Sequence, residues 1–182
     1  MKIGICVGHS RRGDSGAESV DGVSEWTYNS EVARELDIEL ERRGIDASIV
    51  DDYRRSSYSS AIRNCAQILK DDGVTHAIEL HFNSAGPSAH GHEWLHWGGS
   101  RGGQALAKAL ERSFSIAFPS TRSRGLKAKK SGDRGSLFLR STHCPAIIAE
   151  PFFGSSQSDW RTFRNAQREV ARAIAAGIAL LK

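Results

Sequence analysis

Cysteine is scarce in this sequence, with only Cys6, Cys65 and Cys144 in 182 residues. An odd number of cysteines scattered along the chain argues against a disulfide framework. Cys6 and Cys65 fall on the apolar faces of a predicted strand and a predicted helix, where burial is the simplest interpretation. We therefore expect a fold without disulfide bridges.

Long hydrophobic runs are also missing. No stretch approaches the roughly 18 apolar residues of a membrane-spanning helix. The N-terminal apolar run, Ile3–Val7, is shorter than the hydrophobic region of a signal peptide. We therefore expect neither membrane insertion nor a secretion signal in this sequence. It also shows no internal repeat, no linker and no appended binding module.

The composition that remains is ordinary for a globular domain. Hydrophobic residues make up 39% of the chain and charged residues 25%, and the length suits one domain. The 25 basic and 21 acidic residues give a net charge of +4. A mildly basic protein suits an anionic partner, such as a wall polymer, a membrane surface or a nucleic acid, without choosing among them.

Apolar strands alternate with amphipathic helices along the chain. This order predicts an α/β class, with a mostly parallel, twisted sheet of about six strands and helices on both faces. The predicted strands are Ile3–Val7, Ala47–Val50, the run before His81, Gly91–Trp97, Leu137–Leu139 and the run that delivers Glu150. The predicted helices are one that follows Ser24 and ends at Gly44, then Ala61–Lys70, Gly102–Phe118 and Trp160–Leu181.

Three of the apolar runs end in a residue that can bind a metal or move a proton. His9 follows the first strand, His81 follows the third, and Glu150 ends the last. Ligands bind outside the carboxyl ends of strands in open α/β sheets, and Glu25 heads the first helix. Two histidines and a glutamate form a set that holds catalytic zinc and leaves a fourth position for water. Glu150 is then placed to act as general base or acid.

Two local motifs offer other sites. The range His92–His96 matches H-E-x-x-H, a zinc motif that requires a helix so that both histidines share a face. Flanking glycines and two tryptophans favour a strand, on which Glu93 points away from the histidines. Cys144 beside His143 suggests a cysteine hydrolase, but neighbours on an extended chain point in opposite directions.

The segment Pro119–Gly135 is basic, with six lysines or arginines between Arg122 and Arg134 and little apolar content. We predict a loop beside the site that attracts an anionic substrate and takes no part in the chemistry. An ordinary solvated loop is an equal alternative. Nucleic-acid binding is not expected, because no aromatic residue after Phe118 interleaves with these charges.

The order of these motifs resembles the zinc-dependent N-acetylmuramoyl-L-alanine amidases of the Amidase_3 type, over nearly the whole chain. The resemblance lies in Gly8-His9 with the following Gly13–Ala17, in Glu25, in His81-Phe82-Asn83, in Gly91–Trp97, in Gly125-Leu126-Lys127, in Pro145–Phe153 and in Asp159. The order and spacing of these motifs are more specific than any one of them.

The resemblance implies one zinc per chain at His9, Glu25 and His81, with Glu150 as the catalytic residue. It implies hydrolysis of the amide between N-acetylmuramic acid and L-alanine in peptidoglycan, by a single catalytic domain that spans residues 1–182.

The same resemblance suggests Asn83 and Lys127 as substrate-binding residues. It implies peptidoglycan as the partner. Since the sequence shows no signal peptide and no wall-binding module, we expect a monomeric phage or prophage endolysin that stays in the cytoplasm until it is released to the cell wall for lysis.

The chain departs from the family pattern at a few places. Cys6-Val7 replaces an Asp-Pro pair, Pro151 follows the predicted catalytic glutamate, and Ser155-Ser156 stands where an asparagine is common. Two alternative functions stay open: a related zinc amidohydrolase for small acyl-amino acids, and an inactive protein that binds a wall polymer.

Overall fold

The computed structural model describes residues 1–9, 13–52, 57–86 and 88–182. In this part of the chain, one six-stranded sheet forms the centre of the fold. Its strands are β1 (Lys2–Val7), β2 (Asp46–Val50), β3 (His76–Leu80), β4 (His92–Trp97), β5 (Ser123–Lys129) and β6 (Ala146–Glu150). The α/β class and the mostly parallel sheet are confirmed.

The strands lie in the order β2-β1-β3-β6-β4-β5. All neighbouring strands are parallel except β4 and β6, which run in opposite directions. The carboxyl ends of β1, β3 and β6 therefore meet the amino end of β4 at one edge of the sheet. The β4–β6 register places Glu93 opposite Glu150 at that edge.

Six helices cover the two faces of the sheet in the described residues. They are α1 (Glu25–Glu41), α2 (Tyr58–Asp71), α3 (Arg101–Ala117), α4 (Ser136–Ser141), α5 (Gln157–Phe163) and α6 (Gln167–Ala179). Buried residues of α1, α3 and α6 form the larger core cluster with one face, and those of α2 and α4 form the smaller cluster with the other. No described helix has the length and apolarity needed to cross a membrane.

The alternation of side chains along β1 explains why both faces are covered. Ile3, Ile5 and Val7 belong to the larger core cluster, whereas Cys6 belongs to the smaller one. The Sγ atoms of Cys6 and Cys65 lie 3.2 Å apart and both cysteines are buried free thiols, as the sequence predicted.

The first helix begins where the sequence predicts it. The Ser24 hydroxyl accepts a hydrogen bond from the Thr27 backbone N–H, a capping interaction that satisfies one of the free donors of the first turn. Glu25 is consequently the first residue of α1, which directs its carboxylate toward the carboxyl edge of the sheet. Helix α1 then packs through Tyr28, Val32 and Leu36 into the larger core cluster.

Two of the predicted elements have the wrong type. The basic segment contains the edge strand β5, which pairs with β4. Arg122, Lys130 and Arg134 are exposed, and charged residues are a common way to protect a sheet edge. Leu137–Leu139 belongs to helix α4 rather than to a strand. A three-residue apolar run cannot distinguish the two, and burial of Phe138 and Leu139 in the smaller core cluster decides it.

The predicted closing helix Trp160–Leu181 is two helices, α5 and α6. Helix α5 is capped at its start by Ser156, whose hydroxyl accepts from the Asp159 N–H. The helical conformation is interrupted between Arg164, which caps the end of α5, and Ala166, which precedes α6. No glycine or proline marks this break, so the sequence carried no signal for it.

Candidate active site

A cleft of about 1040 Å³ opens at the edge of the sheet where β1, β3 and β6 end. His9, Glu25, His81 and Glu150 all line it, so the structure brings together the four residues predicted from separate parts of the chain. Helices α2 and α4 and the segment after β5 form the facing side. The site is therefore built on the ends of three strands and on the first turn of α1.

His9 lies in a left-handed backbone conformation, with φ of 68°, which no other described non-glycine residue shows. Such a conformation is uncommon outside glycine and is a frequent feature of functional sites. The turn directs the imidazole into the cleft. There Nδ1 lies 3.0 Å from Asp14 Oδ1 and Nε2 lies 3.3 Å from Glu25 Oε2.

Glu25 is the buried centre of the cluster, with only 3% of its surface exposed. Its Oε2 accepts a hydrogen bond from the Ala17 N–H at 3.0 Å, and its Oε1 accepts from the Phe82 N–H at 3.2 Å. Burial alone would raise the pKa of this carboxyl, but hydrogen bonds from His81 and His9 outweigh burial and hold it well below its usual range. Glu25 is therefore a carboxylate at any physiological pH.

His81 is held between two carboxylates. Its Nδ1 lies 2.7 Å from Glu25 Oε1, and its Nε2 lies 3.3 Å from Glu79 Oε2. Burial lowers the pKa of His81, yet the hydrogen bonds to Glu25 and Glu79 raise it well above its usual value. The two carboxylates beside His81 concentrate negative charge at the place where a metal cation would bind.

We tested whether these residues can hold a metal ion. His9, Glu25 and His81 each present a ligand atom, and these atoms lie within 4.8 Å of one another. Two imidazoles and a carboxylate suit zinc, with a position left for water. The backbone also leaves room for the cluster: a Cβ on Gly16 would lie 2.6 Å from the His9 ring and 2.7 Å from Glu25 Oε2. The donor set and its surroundings fit a zinc ion.

Glu150 ends β6 and lines the same cleft as this cluster. Its Oε2 is buried and has no hydrogen-bond partner among the described residues. Burial raises the pKa of the carboxyl to about 8, and the nearby charges of Glu25 and Glu93 add to the rise while His81 opposes it. A carboxyl with a pKa near neutrality that is not engaged by the protein can exchange a proton with a substrate or with water.

Comparison with known proteins identifies the family. Residues 3–180 match the family model described as N-acetylmuramoyl-L-alanine amidase, Amidase_3. The chain belongs to this family. It is therefore an enzyme that hydrolyses the amide bond between the glycan and the peptide of peptidoglycan.

Solved structures show the same fold. The amidase AmiC2 of Nostoc punctiforme matches with a TM-score of 0.85 and 22% identity, covering 100% of this chain and 96% of that one. The catalytic domain of CwlV from Bacillus (Paenibacillus) polymyxa var. colistinus has a TM-score of 0.82 and 21% identity, over 100% and 98% of the two chains. The catalytic domain of CD27L, an endolysin targeting Clostridia difficile, has a TM-score of 0.84 and 24% identity, over 100% and 98%. No curated protein matches the sequence significantly.

The two predicted substrate-binding residues of this amidase lie in different surroundings. Asn83 lines the cleft, and its Nδ2 donates to Glu93 Oε1 at 3.0 Å. Lys127 lies in β5 opposite Leu95 and is not among the described residues that line the cleft, whereas Lys129, two residues later, is. The basic segment therefore contributes to the cleft at its end, where a loop was predicted only to lie beside it.

Glu79 and Glu93 are site residues that the sequence analysis missed. Glu79 lies within β3, two positions before His81, so the period of a strand turns both side chains to the same face. This spacing was the available signal for Glu79. Glu93 reaches the cleft because β4 runs against β6, and its Oε2 pairs with Arg124 Nε at 2.8 Å.

The H-E-x-x-H segment does not form a metal site. It lies on strand β4, where His92 is buried and its Nδ1 accepts from Trp94 Nε1 at 3.0 Å. The His96 Nδ1 donates to the Trp97 carbonyl at 3.0 Å. Glu93 lies on the opposite face. Both histidines are therefore core residues with hydrogen-bond partners.

The His143-Cys144 pair is not a nucleophile and base. His143 Nε2 donates to the Val74 carbonyl at 2.9 Å, away from its neighbour. Burial raises the pKa of the Cys144 thiol to about 11, so almost no thiolate forms at neutral pH. Asp159, in the first turn of α5, has a structural role: its Oδ2 accepts from the Gly91 and Phe153 N–H groups at 2.8 and 3.0 Å.

Proposed function

We propose that this chain is a zinc-dependent amidase in which His9, Glu25 and His81 hold one zinc ion and Glu150 transfers the proton. The observation that carries the proposal is the convergence of three ligand atoms within 4.8 Å in the same cleft as Glu150. Zinc in such a site polarises the amide carbonyl and lowers the pKa of water toward about 7.

The protein residues supply the remaining steps. Glu150 Oε2 accepts the proton of the attacking water as that water adds to the amide carbonyl carbon. The C–N bond then breaks, and Glu150 returns the proton to the nitrogen, which leaves as the amine of L-alanine. The raised pKa of Glu150 suits both transfers, because an efficient acid–base group titrates near the working pH.

Glu79 is proposed to support the His81 ligand. A carboxylate on the outer nitrogen of a metal-binding histidine fixes the tautomer and the orientation of the ring. Glu79 Oε2, at 3.3 Å from His81 Nε2, stands in that relation while His81 Nδ1 faces Glu25. The carboxylate therefore leaves Nδ1 as the nitrogen with a lone pair for the metal.

The dimensions of the cleft support a polymeric substrate over a small acyl-amino acid. A volume of about 1040 Å³ reaches the upper end of the range for small-molecule sites, about 300–1,000 Å³. We propose that the peptide stem of peptidoglycan occupies this cleft, beside Asn83 and the end of β5, while Lys127 contacts substrate only outside it.

We further propose that residues 1–182 act as one catalytic domain, as a monomer, in lysis of the bacterial wall. The family match over residues 3–180 and the likeness to an endolysin catalytic domain support this assignment. We expect the enzyme to stay in the cytoplasm until it is released to the wall.

One experiment tests the proposed reaction. Purified peptidoglycan is digested with the zinc-loaded protein, and the new chain ends are identified by mass spectrometry. We expect free L-alanine amines and intact N-acetylmuramic acid. New reducing sugar ends, or cleavage only within the peptide, would contradict the proposal.

A further inference from the structure

The cleft is lined by four cations that have no partner among the described residues. Arg63 comes from α2, Lys129 from the end of β5, Arg134 from the loop before α4 and Arg140 from α4. We call these four residues the basic wall. None of them forms an ion pair or a side-chain hydrogen bond in the described part of the chain, whereas Arg124 on the same sheet edge is paired with Glu93.

The acids of the cleft are arranged differently. Glu79, Glu93 and Glu150 lie on strands β3, β4 and β6, whereas three of the four residues of the basic wall lie on α2, on α4 and in the loop before α4. Between Lys129 and Arg140 the one acid is Asp133, and its Oδ2 accepts from the Lys130 N–H at 2.9 Å. These acids and the basic wall therefore come from different elements of the fold.

Arg134 links the basic wall to the reacting groups. Burial raises the pKa of the Tyr58 hydroxyl to about 12 and that of the Glu150 carboxyl to about 8, and the charge of Arg134 opposes both shifts. Arg134 is exposed, so its guanidinium can meet a ligand in the cleft. Arg134 and Glu150 line the same cleft, so a group bound by Arg134 would lie near the bond that Glu150 serves.

We propose that the basic wall is a carboxylate-binding subsite for the peptide stem, and that this amidase prefers stems with a free carboxylate on the residue after L-alanine. Guanidinium groups bind carboxylates through paired hydrogen bonds, and a lysine adds a point charge. The wall shares the cleft with Glu150, so its ligand is attached to the amide that is cleaved. A separate anionic polymer would instead meet the outer face of β5 and Lys130. This proposal rests on the proposed amidase reaction.

The test uses two synthetic muramoyl peptides that differ in one group. Both contain N-acetylmuramic acid, L-alanine and one further residue, whose side carboxyl is free in one peptide and a carboxamide in the other. We expect the wild-type enzyme to cleave the free acid with kcat/KM about tenfold higher, mainly through KM. We expect Arg134→Gln and Arg140→Gln to remove most of this preference, by weakening cleavage of the acid only.

Arg112→Gln is the matched control, because Arg112 is an exposed arginine on α3, on the other face of the sheet. It should keep the full preference. Equal cleavage of both peptides by the wild type would overturn the subsite. So would an equal loss on both peptides in the Arg134 and Arg140 variants, or a preference that appears only with whole walls that carry anionic polymers.

Binding of the same two peptides to Glu150→Gln, measured by calorimetry, separates this proposal from the proposed reaction. Tighter binding of the acid together with no cleavage by the wild type would refute the reaction and keep the subsite. Equal affinity for both peptides would refute the subsite even if the wild type cleaves both.

Discussion

Two groups of histidine and glutamate residues in this molecule differ in whether the fold brings their side chains together. The range His92–His96 matches a known zinc motif within five consecutive residues, yet its side chains divide between the two faces of strand β4. His9, Glu25 and His81 share no local motif and span 73 residues of chain, yet their ligand atoms lie within 4.8 Å. The comparison shows that a metal site depends on where side chains meet in three dimensions.

The physical reason is the periodicity of secondary structure. On a helix, positions i and i+4 lie one above the other on the same face, so both side chains can reach one ion. On a strand they also share a face, but the rise of about 3.3 Å per residue places them too far apart to bind one ion. His9 and His81 instead end neighbouring parallel strands, β1 and β3, and Glu25 is carried to them by the first turn of α1.

The first test removes one histidine from each group. We expect His81→Ala to lose nearly all zinc and all measurable amidase activity, because two ligands rarely retain the metal. His96→Ala should keep zinc and most activity, although loss of a buried side chain will lower its stability. Metal content per chain, measured by mass spectrometry, decides. If His96→Ala loses the zinc and His81→Ala keeps it, the H-E-x-x-H segment is the site after all.

Glu150 and Glu93 lie opposite each other in the β4–β6 register, and substituting each of them compares their contributions to catalysis. Glu150→Gln should fold, keep zinc and lose about 10²–10⁴-fold in kcat, the usual contribution of an acid–base group. Glu93→Gln should cost less than about tenfold, because Glu93 is already engaged by Asn83 and Arg124. Steady-state kinetics on a soluble muropeptide measures both. Near wild-type turnover in Glu150→Gln would rule out the role assigned to it.

The glycines near His9 test how closely the backbone fits the cluster. Gly16→Ala should weaken zinc binding by about 10–100-fold, the range seen when groups around metal ligands are disturbed, because its Cβ would meet His9 and Glu25. Gly13→Ala is the matched control: its φ of 87° resembles the 80° of Gly16, but a Cβ there meets nothing within 4 Å. Competition with a chromogenic chelator gives both affinities. Equal weakening in the two variants would mean that backbone strain, and not contact with the ligands, sets the effect.

The last prediction concerns stability and pH. The folded-state pKa of Glu150 is raised from 4.5 to about 8, so the folded state binds this proton more tightly than the unfolded state. The stabilisation of the folded state by this proton is therefore complete below about pH 4.5 and is lost as pH rises through 8. The free energy of unfolding falls by no more than about 1.4 kcal/mol per pH unit.

Urea unfolding of the metal-free protein, in a chelator, measures this effect against Glu150→Gln. The free energy of unfolding of the wild type should fall relative to the variant between pH 5 and 8.5, because a glutamine cannot ionise. A difference between the two proteins that stays constant over this range would show that Glu150 titrates normally.

Much of the fold was predictable from local patterns. The apolar runs that became β1, β3 and β6 were long enough to be recognised as buried strands, and Ser24 marked the start of α1. The errors fell where local signals are weak. Strand β5 is a basic edge strand that is stabilised by pairing with β4, and the break between α5 and α6 has no glycine or proline.

The candidate site divides in the same way. His9, His81 and Glu150 were predictable because each ends an apolar strand, and Glu25 because it follows a capping serine. Glu79 was missed because it lies inside a strand, where a charged residue has no local explanation until its partner His81 is placed. The basic wall was missed as a unit because its members come from α2, β5, α4 and the loop between the last two.

The sequence by itself therefore determined the elements and the chemistry at their ends, since hydrophobic periodicity and capping act over a few residues. Only the tertiary structure decided which ends meet, that β4 runs against β6 and brings Glu93 to Glu150, and that four separate cations line one cleft. Those outcomes depend on strand order and packing between residues far apart in the chain, and no local pattern encodes them separately.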